Sequence, residues 1–185
     1  NTDDVARLAR RYLPRIAYDF IDGGVDGEEG LNHNREAFRR YRLVPRYLVD
    51  VEKRSQATSL FGHIYASPFG VSPMSIAGFF RPGADLMIAR AAATHDVPYI
   101  MSSASCSSIE SAIAEAPKNT WFQVYGTRDP KVTVDLVARA ARLNVRVLIL
   151  TVDTPVIGKR ERNIRNGFRR PMKMTPGVIM QGLSR

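Results

Sequence analysis

Between Pro68 and Val152 the sequence repeats a single plan. Pro68 to Ser72, Val97 to Ser102, Trp121 to Tyr125 and Val147 to Val152 are short runs of aliphatic or aromatic residues, each read as a strand. Pro82 to His95, Ser107 to Glu115 and Pro130 to Leu143 separate them, and each opens on Pro or Ser before apolar residues at helical spacing. The runs recur at roughly 25 residues, the size of a βα unit. Strand and helix in regular alternation predict parallel strands covered by helices, an α/β fold.

The strand ends share a second regularity. The runs pass into Ser72-Pro73-Met74-Ser75, Ser102-Ser103-Ala104-Ser105, Gln123-Val124-Tyr125-Gly126 and Thr151-Val152-Asp153. In a barrel these polar ends would meet on one rim, the face on which barrels carry their chemistry. An open doubly wound sheet is the alternative, but no turn here is a GxGxxG or Walker loop. The fourth run, Val147 to Leu150, is apolar throughout and predicts a strand buried on both faces, with Thr151, Asp153 and Arg160 at or just past its carboxyl end. A (β/α)8 barrel typically takes ~250 residues, whereas four units fill this chain of 185. Four parallel units leave two sheet edges open. The expectation is therefore the first half of a TIM barrel, completed by more of the same chain or by another polypeptide.

Helices precede the repeat. Asp3 or Asp4 can cap a helix running to about Tyr12, Pro14 suits the first turn of a second that Gly23-Gly24 stops, and a third spans about Glu28 to Arg40. Leu43 to Val51 follow, and Phe61-Gly62-His63 is a turn between two short strands within Thr58 to Ser67. The expected blocks are 1–67, a helical preface with short strands; 68–170, the first four βα units; and 171–185, the start of a long loop after the fourth strand.

Charge narrows the partners. The net charge is +9, and seven Lys and Arg between Lys159 and Lys173 face Glu161 alone. No recognised nucleic-acid module accompanies that charge, so small anions or an anionic membrane surface suit it better. No apolar run reaches the ~20 residues of a membrane span, and the charged start does not read as a secretory signal. Cys106 is the single cysteine, which excludes an internal disulfide and a thiolate zinc cluster. A reducing, cytoplasmic setting fits, and no metal site is expected.

Taken one at a time, the candidate residues have plain readings too. Asp153 can cap the turn before Pro155, Arg160 can be a solvated charge, and Ser102 can be a strand-end hydroxyl bonded to backbone. Trp121, Gln123 and Tyr125 alternate onto one face; the aromatics can be core, but a Gln there needs a partner, and a ligand is a natural one. His33, His63 and His95 fall in helices or a turn, away from the strand ends. Cys106 reads as a small buried filler at a helix start. Met172, Met174 and Met180, with Val178, Ile179 and Leu183, either belong to an active-site loop or touch a membrane beside the cationic run.

Several stretches together resemble one family: YDFIDGG at Tyr18 to Gly24, NREAF at Asn34 to Phe38, PRYLVDV at Pro45 to Val51, WFQVY at Trp121 to Tyr125 and TVDTPVIGKRERNIRNGF at Thr151 to Phe168. The chain resembles the FMN-dependent α-hydroxy acid oxidases and dehydrogenases over nearly its whole length, and the resemblance stops about halfway through the family's usual length. It implies a (β/α)8 barrel behind a helical preface, FMN as cofactor, and oxidation of an L-2-hydroxy acid to the 2-oxo acid. It further implies that the Pro73-Met74-Ser75 backbone lies along the flavin and that Ser102, Gln123 and Thr151 hydrogen-bond its ring. Tyr125 would face the substrate hydroxyl, Arg160 would sit near the substrate carboxylate, and Asp153 would orient a catalytic histidine. That histidine, the arginine that clamps the carboxylate and the lysine beside the flavin belong to the family's second half and are absent from this sequence.

Three positions depart from the family pattern. Phe20 stands where many members have a Tyr that bonds the substrate carboxylate, and Ala104 replaces a bulky Trp, which implies a roomier substrate pocket. Ser75 takes a position often Ala or Gly near the flavin. The resemblance also implies oxygen or a quinone as electron acceptor, a homo-oligomer, and peripheral contact with the inner face of the plasma membrane as one location. A catalytically incomplete FMN-binding or assembly fragment is the alternative function.

Overall fold

The structure, a computed structural model, describes residues 1–154, 156, 158–168, 175–176 and 179–180. The chain packs as two units, Asn1–Leu48 with Val156–Arg185, and Val49–Pro155. The hairpin that follows the helices therefore groups with the strands, and the segment after the last strand groups with the helices.

In the first unit, α1 (Thr2–Tyr12) starts from a capping box. The Asn1 side chain accepts from the Asp4 N–H at 3.0 Å, and the Asp4 carboxylate accepts from the Asn1 amino group. The cap is thus Asn1, and the expected caps Asp3 and Asp4 fill the first turn, where their charge suits the helix dipole. α2 (Arg15–Asp22) follows Pro14 and stops at Gly23, burying Ile16 and Ala17. α3 (Glu29–Ala37) tightens into a 3-10 turn over Phe38–Arg40. Residues 41–57 hold neither helix nor strand.

The second unit opens with β1 (Thr58–Leu60) and β2 (His63–Tyr65), an antiparallel hairpin. Phe61 and Gly62 both have positive φ, 51° and 78°, as a type I′ turn demands. The repeat then follows: α4 (Ala77–Phe80), α5 (Ala84–Thr94), β3 (Tyr99–Ser102), α6 (Ile109–Glu115), β4 (Thr120–Tyr125), α7 (Pro130–Arg142) and β5 (Leu148–Thr151). β3, β4 and β5 form a parallel sheet in that order. Ser108 caps α6 by accepting from the Ser111 N–H at 3.1 Å, and Asp129 caps α7 ahead of Pro130 at its first position.

Alternation along the strands sorts the residues into two layers. Tyr99, Met101, Phe122 and Val124 face the helices and pack on Ala89 and Ala92 of α5, Ala112 of α6, Ala116 just after it, and Ala140 of α7. Alanine at these points lets each helix settle close to the sheet, and burial of the larger side chains contributes about 1.5–3 kcal/mol apiece. The opposite face carries Ser102, Trp121, Gln123 and Tyr125. Trp121 donates its indole N–H to the Tyr65 hydroxyl at 2.9 Å and meets Phe61 edge-on, so the hairpin closes the amino ends of the strands.

Three expectations change. The run Pro68 to Ser72 joins the sheet through Val71 alone, which bridges in parallel to Tyr99. Pro68, Pro73 and the facing Pro98 lack the N–H groups a longer ladder needs, and Gly70 runs so close to Pro98 that a Cβ there would lie 2.9 Å from its carbonyl oxygen. β5 is not buried on both faces: Leu148 and Leu150, on the helix-facing side, are 44% and 58% exposed. β5 is the sheet's edge, and among the described residues no helix follows it in this unit. Cys106 is exposed rather than buried, because it precedes α6 in an open serine-rich turn. Most of the expected loop 171–185 lies outside the described residues; within it Pro176, Ile179 and Met180 are helical.

Paired charges tie each helix to the next. Arg90 of α5 grips Glu115 of α6 through two N–H groups at 2.9 and 2.7 Å, and Arg139 of α7 grips Glu110 of α6 at 2.5 and 2.6 Å. The hydrogen bond from Arg139 pulls the Glu110 carboxyl from 4.5 to about 2. A carboxylate depressed on folding stabilises above its unfolded pKa, and that contribution disappears as pH falls through the folded value. Arg139→Met is expected to raise the acid-unfolding midpoint and to flatten the loss of stability between pH 4.5 and 2. Because the pair is part-exposed, the effect should shrink in salt. Superimposable acid titrations of the two proteins would show that the pair contributes nothing.

Candidate functional site

The carboxyl ends of the strands bring one set of polar side chains together. Parallel register puts Ser102 beside Gln123 and Tyr125 beside Thr151. The Ser102 hydroxyl donates to Gln123 Oε1 at 3.0 Å, and Gln123 Nε2 donates to Thr151 Oγ1 at 2.7 Å. Ser75 Oγ lies 3.5 Å from Ser102 Oγ and extends the row towards the loop after Val71. Ser102 and Gln123 are 2% and 1% exposed, so this neutral row is built into the interior rather than set on the surface. Gln123 is expected to need a partner, for which a ligand is a natural choice. Protein hydroxyls meet both ends of its amide, yet an amide oxygen accepts two bonds and an amide nitrogen donates two, so one of each remains for a further partner.

Backbone groups hold the row in place. The Ser103 N–H donates to the Gln123 carbonyl at 2.8 Å, and the Ala104 N–H to Ser102 Oγ at 3.1 Å. The Ile76 N–H donates to the Ala104 carbonyl at 3.0 Å, which ties the loop carrying Pro73, Met74 and Ser75 to the loop after β3. Pro73 and Met74 are exposed. Tyr125, 38% exposed, ends β4, and Asp153 is exposed two residues beyond β5. Ala104 is half-buried beside Ser102. His63 opens β2, and His33 and His95 sit in or just past helices, so none of the histidines stands at the carboxyl end of a strand.

Phe20 and Arg160 come together in the first unit. Arg160 Nη1 donates to the Phe20 carbonyl at 3.0 Å, and its guanidinium lies 5.1 Å from the centre of the Phe20 ring. Phe20 in turn stacks on Phe168, ring centres 4.5 Å apart. Arg160 is the residue before α8 (Glu161–Arg165), the short helix after the expected strand-end motif.

Among the described residues, the cations of the stretch have partners within the protein. Lys159 and Arg165 both bond Glu161, at 3.1 and 2.6 Å, and Arg162 bonds Asp22 at 2.9 Å and Glu28 at 2.5 Å. Those bonds, Asp22's first, hold the Arg162 guanidinium above its usual range. The sequence reading missed Arg162, Asp22 and Glu28. A signal existed in the acids of Asp19 to Glu29, since a surplus of cations elsewhere needs such partners. Arg169, Arg170 and Lys173 lie outside the described residues, as do Met172, Met174, Val178 and Leu183 of the apolar set; Ile179 and Met180 are exposed. No helix among the described residues is long and apolar enough to cross a membrane.

Comparison with known proteins adds an independent line. The family described as FMN-dependent dehydrogenase matches residues 9–185. The chain is 34% identical to (S)-mandelate dehydrogenase of Pseudomonas putida over 182 residues, 98% of this chain and 46% of that protein. It is 37% identical to glycolate oxidase 1 of Zea mays over 175 residues, 95% of this chain and 47% of that one. Among solved structures, a monotopic membrane protein, (S)-mandelate dehydrogenase, superposes with a TM-score of 0.92 at 34% identity, covering 99% of this chain and 49% of the other. The chain thus spans about half the length of the curated relatives it matches. Its helices and parallel strands are the expected leading part of a (β/α) barrel.

If the row is held as described, Ser102→Ala leaves Gln123 Oε1 and the Ala104 N–H short of a partner and should cost ~1–3 kcal/mol in urea unfolding. Combining it with Gln123→Met should cost less than the sum of the single changes, since the stranded acceptor is gone. Strict additivity would mean that the two side chains do not act together.

Proposed function

The chain belongs to the FMN-dependent dehydrogenase family, and from that premise we propose that it forms the first half of an enzyme that oxidises an L-2-hydroxy acid to the 2-oxo acid. The row Ser75, Ser102, Gln123, Thr151 carries the reading. Its chemistry fits the edge of an isoalloxazine ring, which offers carbonyl oxygens and ring nitrogens in one plane. Neutral hydroxyls and an amide can donate or accept along such an edge without fixing its charge. FMN, when bound, supplies an acceptor for the two electrons that leave the substrate.

The protein's part is geometry and charge. Ser102, Gln123 and Thr151 would hold the ring edge, and the exposed backbone of Pro73, Met74 and Ser75 would lie along its face. Tyr125 would bond the substrate hydroxyl. Arg160 would sit near the substrate carboxylate and bind it alongside the clamping arginine of the remaining half, a task the planar fork of arginine suits better than an ammonium. Phe20 supplies no hydroxyl there, so it would orient Arg160 through its ring and carbonyl. Asp153 would keep the catalytic histidine in the right tautomer and stabilise its imidazolium, as aspartate does in other His-Asp pairs. That histidine would come from the remaining half of the barrel, and Ala104 would leave room for a bulky substrate side chain.

The same reading makes the protein cytoplasmic, a homo-oligomer, and a donor of electrons to oxygen or a quinone. For the segment after residue 168 it favours an active-site loop over contact with a membrane surface. An anion- or nucleic-acid-binding role for the cationic stretch loses support, because three of its cations, Lys159, Arg162 and Arg165, already pair with carboxylates within the protein. The span of about half the relatives' length favours one other reading, a fragment that binds FMN without turnover.

Titrating the chain, combined with the remaining half of the barrel, with FMN separates these readings. A yellow protein that a 2-hydroxy acid bleaches supports the enzyme, and a yellow but inert one the binding fragment. No uptake of FMN, with salt-sensitive binding of RNA, would reject both. In the complete flavin-loaded protein, Asp153→Asn should slow flavin reduction by ~10²-fold or more while FMN stays bound. Unchanged reduction would remove Asp153 from its role.

A further inference from the structure

We infer that Arg162 is a positioning residue for Arg160: by bridging Asp22 and Glu28 it holds the turn after α2 against the segment 158–162 and keeps two carboxylates from capturing the arginine meant for the substrate. The inference rests on the reading of Arg160 as the group that binds the substrate carboxylate. Asp22 and Glu28 stand at the two ends of one turn, and Arg162 donates to Asp22 Oδ2 at 2.9 Å and to Glu28 Oε2 at 2.5 Å. The turn itself is unusual, with Asp26 and Glu28 at φ 47° and 64°, a conformation that needs outside support in non-glycine residues.

The support converges on the segment that carries Arg160. The Asp26 N–H donates to the Lys159 carbonyl at 2.9 Å, and Glu28 Oε1 accepts from the Gly24 N–H at 3.1 Å. Gly158 lies so near Val25 that a Cβ there would come within 2.8 Å of its Cγ2. One turn further on, Asn166 donates to Asp19, so Asp19 and Asp22 of α2 meet Asn166 and Arg162 of α8 in step. Arg160 leaves this clamp through a single bond to the Phe20 carbonyl at 3.0 Å and its seat over the Phe20 ring. Without Arg162 the acids at the end of α2 would be uncompensated, and Arg160, two residues away in sequence, is the cation placed to answer them. An arginine so engaged presents less positive charge to an incoming carboxylate.

The test uses the complete FMN-loaded protein with oxalate as a carboxylate probe, followed by calorimetry, beside steady-state kinetics and FMN affinity. Arg162→Met should weaken oxalate binding and raise KM about tenfold, the ratio expected for one misplaced charge-assisted bond, with FMN affinity unchanged. Arg162→Lys, which keeps the charge but not the fork, should fall between the two, and adding Asp22→Asn and Glu28→Gln to Arg162→Met should restore much of the oxalate affinity. Unchanged oxalate binding in Arg162→Met would overturn the inference. So would a parallel loss of kcat, oxalate binding and FMN binding in both Arg162 variants, which marks general damage. Arg160→Met is the separate arm: if it leaves oxalate binding intact, the reading of Arg160 fails, whatever Arg162 does.

Discussion

A parallel ladder in fixed register is the constraint from which the rest of this molecule follows. With Phe122 beside Leu148 and Gln123 beside Ile149, every odd position of β4 faces one way and every even position the other. A slip of one residue would drive Gln123 into the alanine layer and turn Phe122 towards the polar row. Both outcomes are costly, one through an amide buried without partners and the other through exposed aromatic surface. The packing that stabilises the sheet and the polar row at the strand ends are therefore two sides of a single choice of register.

Much of this was legible in the residues, because periodic signals report periodic structure. α6 and α7 open on residues that cap or begin helices, β3 lies inside its expected run, and β4 exceeds its own by Thr120 alone. What the residues concealed has physical causes. Val71 to Tyr99 is one bridge rather than a ladder, since prolines on both sides withhold donors. Leu148 and Leu150 have the composition of buried residues, but composition measures affinity for a cover and not whether one is present. Gln123 was rightly read as needing partners; that they are Ser102 and Thr151 depends on side-chain reach between neighbouring strands, which no spacing encodes.

Charge teaches a similar lesson from the other direction. Counting from Lys159 to Lys173 suggests a patch awaiting an anion, yet Lys159, Arg162 and Arg165 bond carboxylates within the protein, and the partners of Arg162 lie 140 and 134 positions away. Arg160 differs from these neighbours. Among the described residues its partners are a carbonyl oxygen and an aromatic ring, neither of which carries a formal charge to cancel its own. A cation held in place by neutral groups is in a suitable state to receive an anion, and on our inference the salt bridges of Arg162 keep it so.

The unit built from Asn1–Leu48 and the segment from Val156 is discontinuous in the chain, and this bears on how it comes to exist. On a ribosome the leading helices emerge first, while Asp19, Asp22 and Glu28 wait for Arg162 and Asn166, whose codons lie well over a hundred positions downstream. The intervening strands and helices make mostly neighbourly contacts and can assemble during that interval. The leading helices would thus be made before the strands and settle after them, exposed meanwhile to any chaperone or protease that meets a nascent chain.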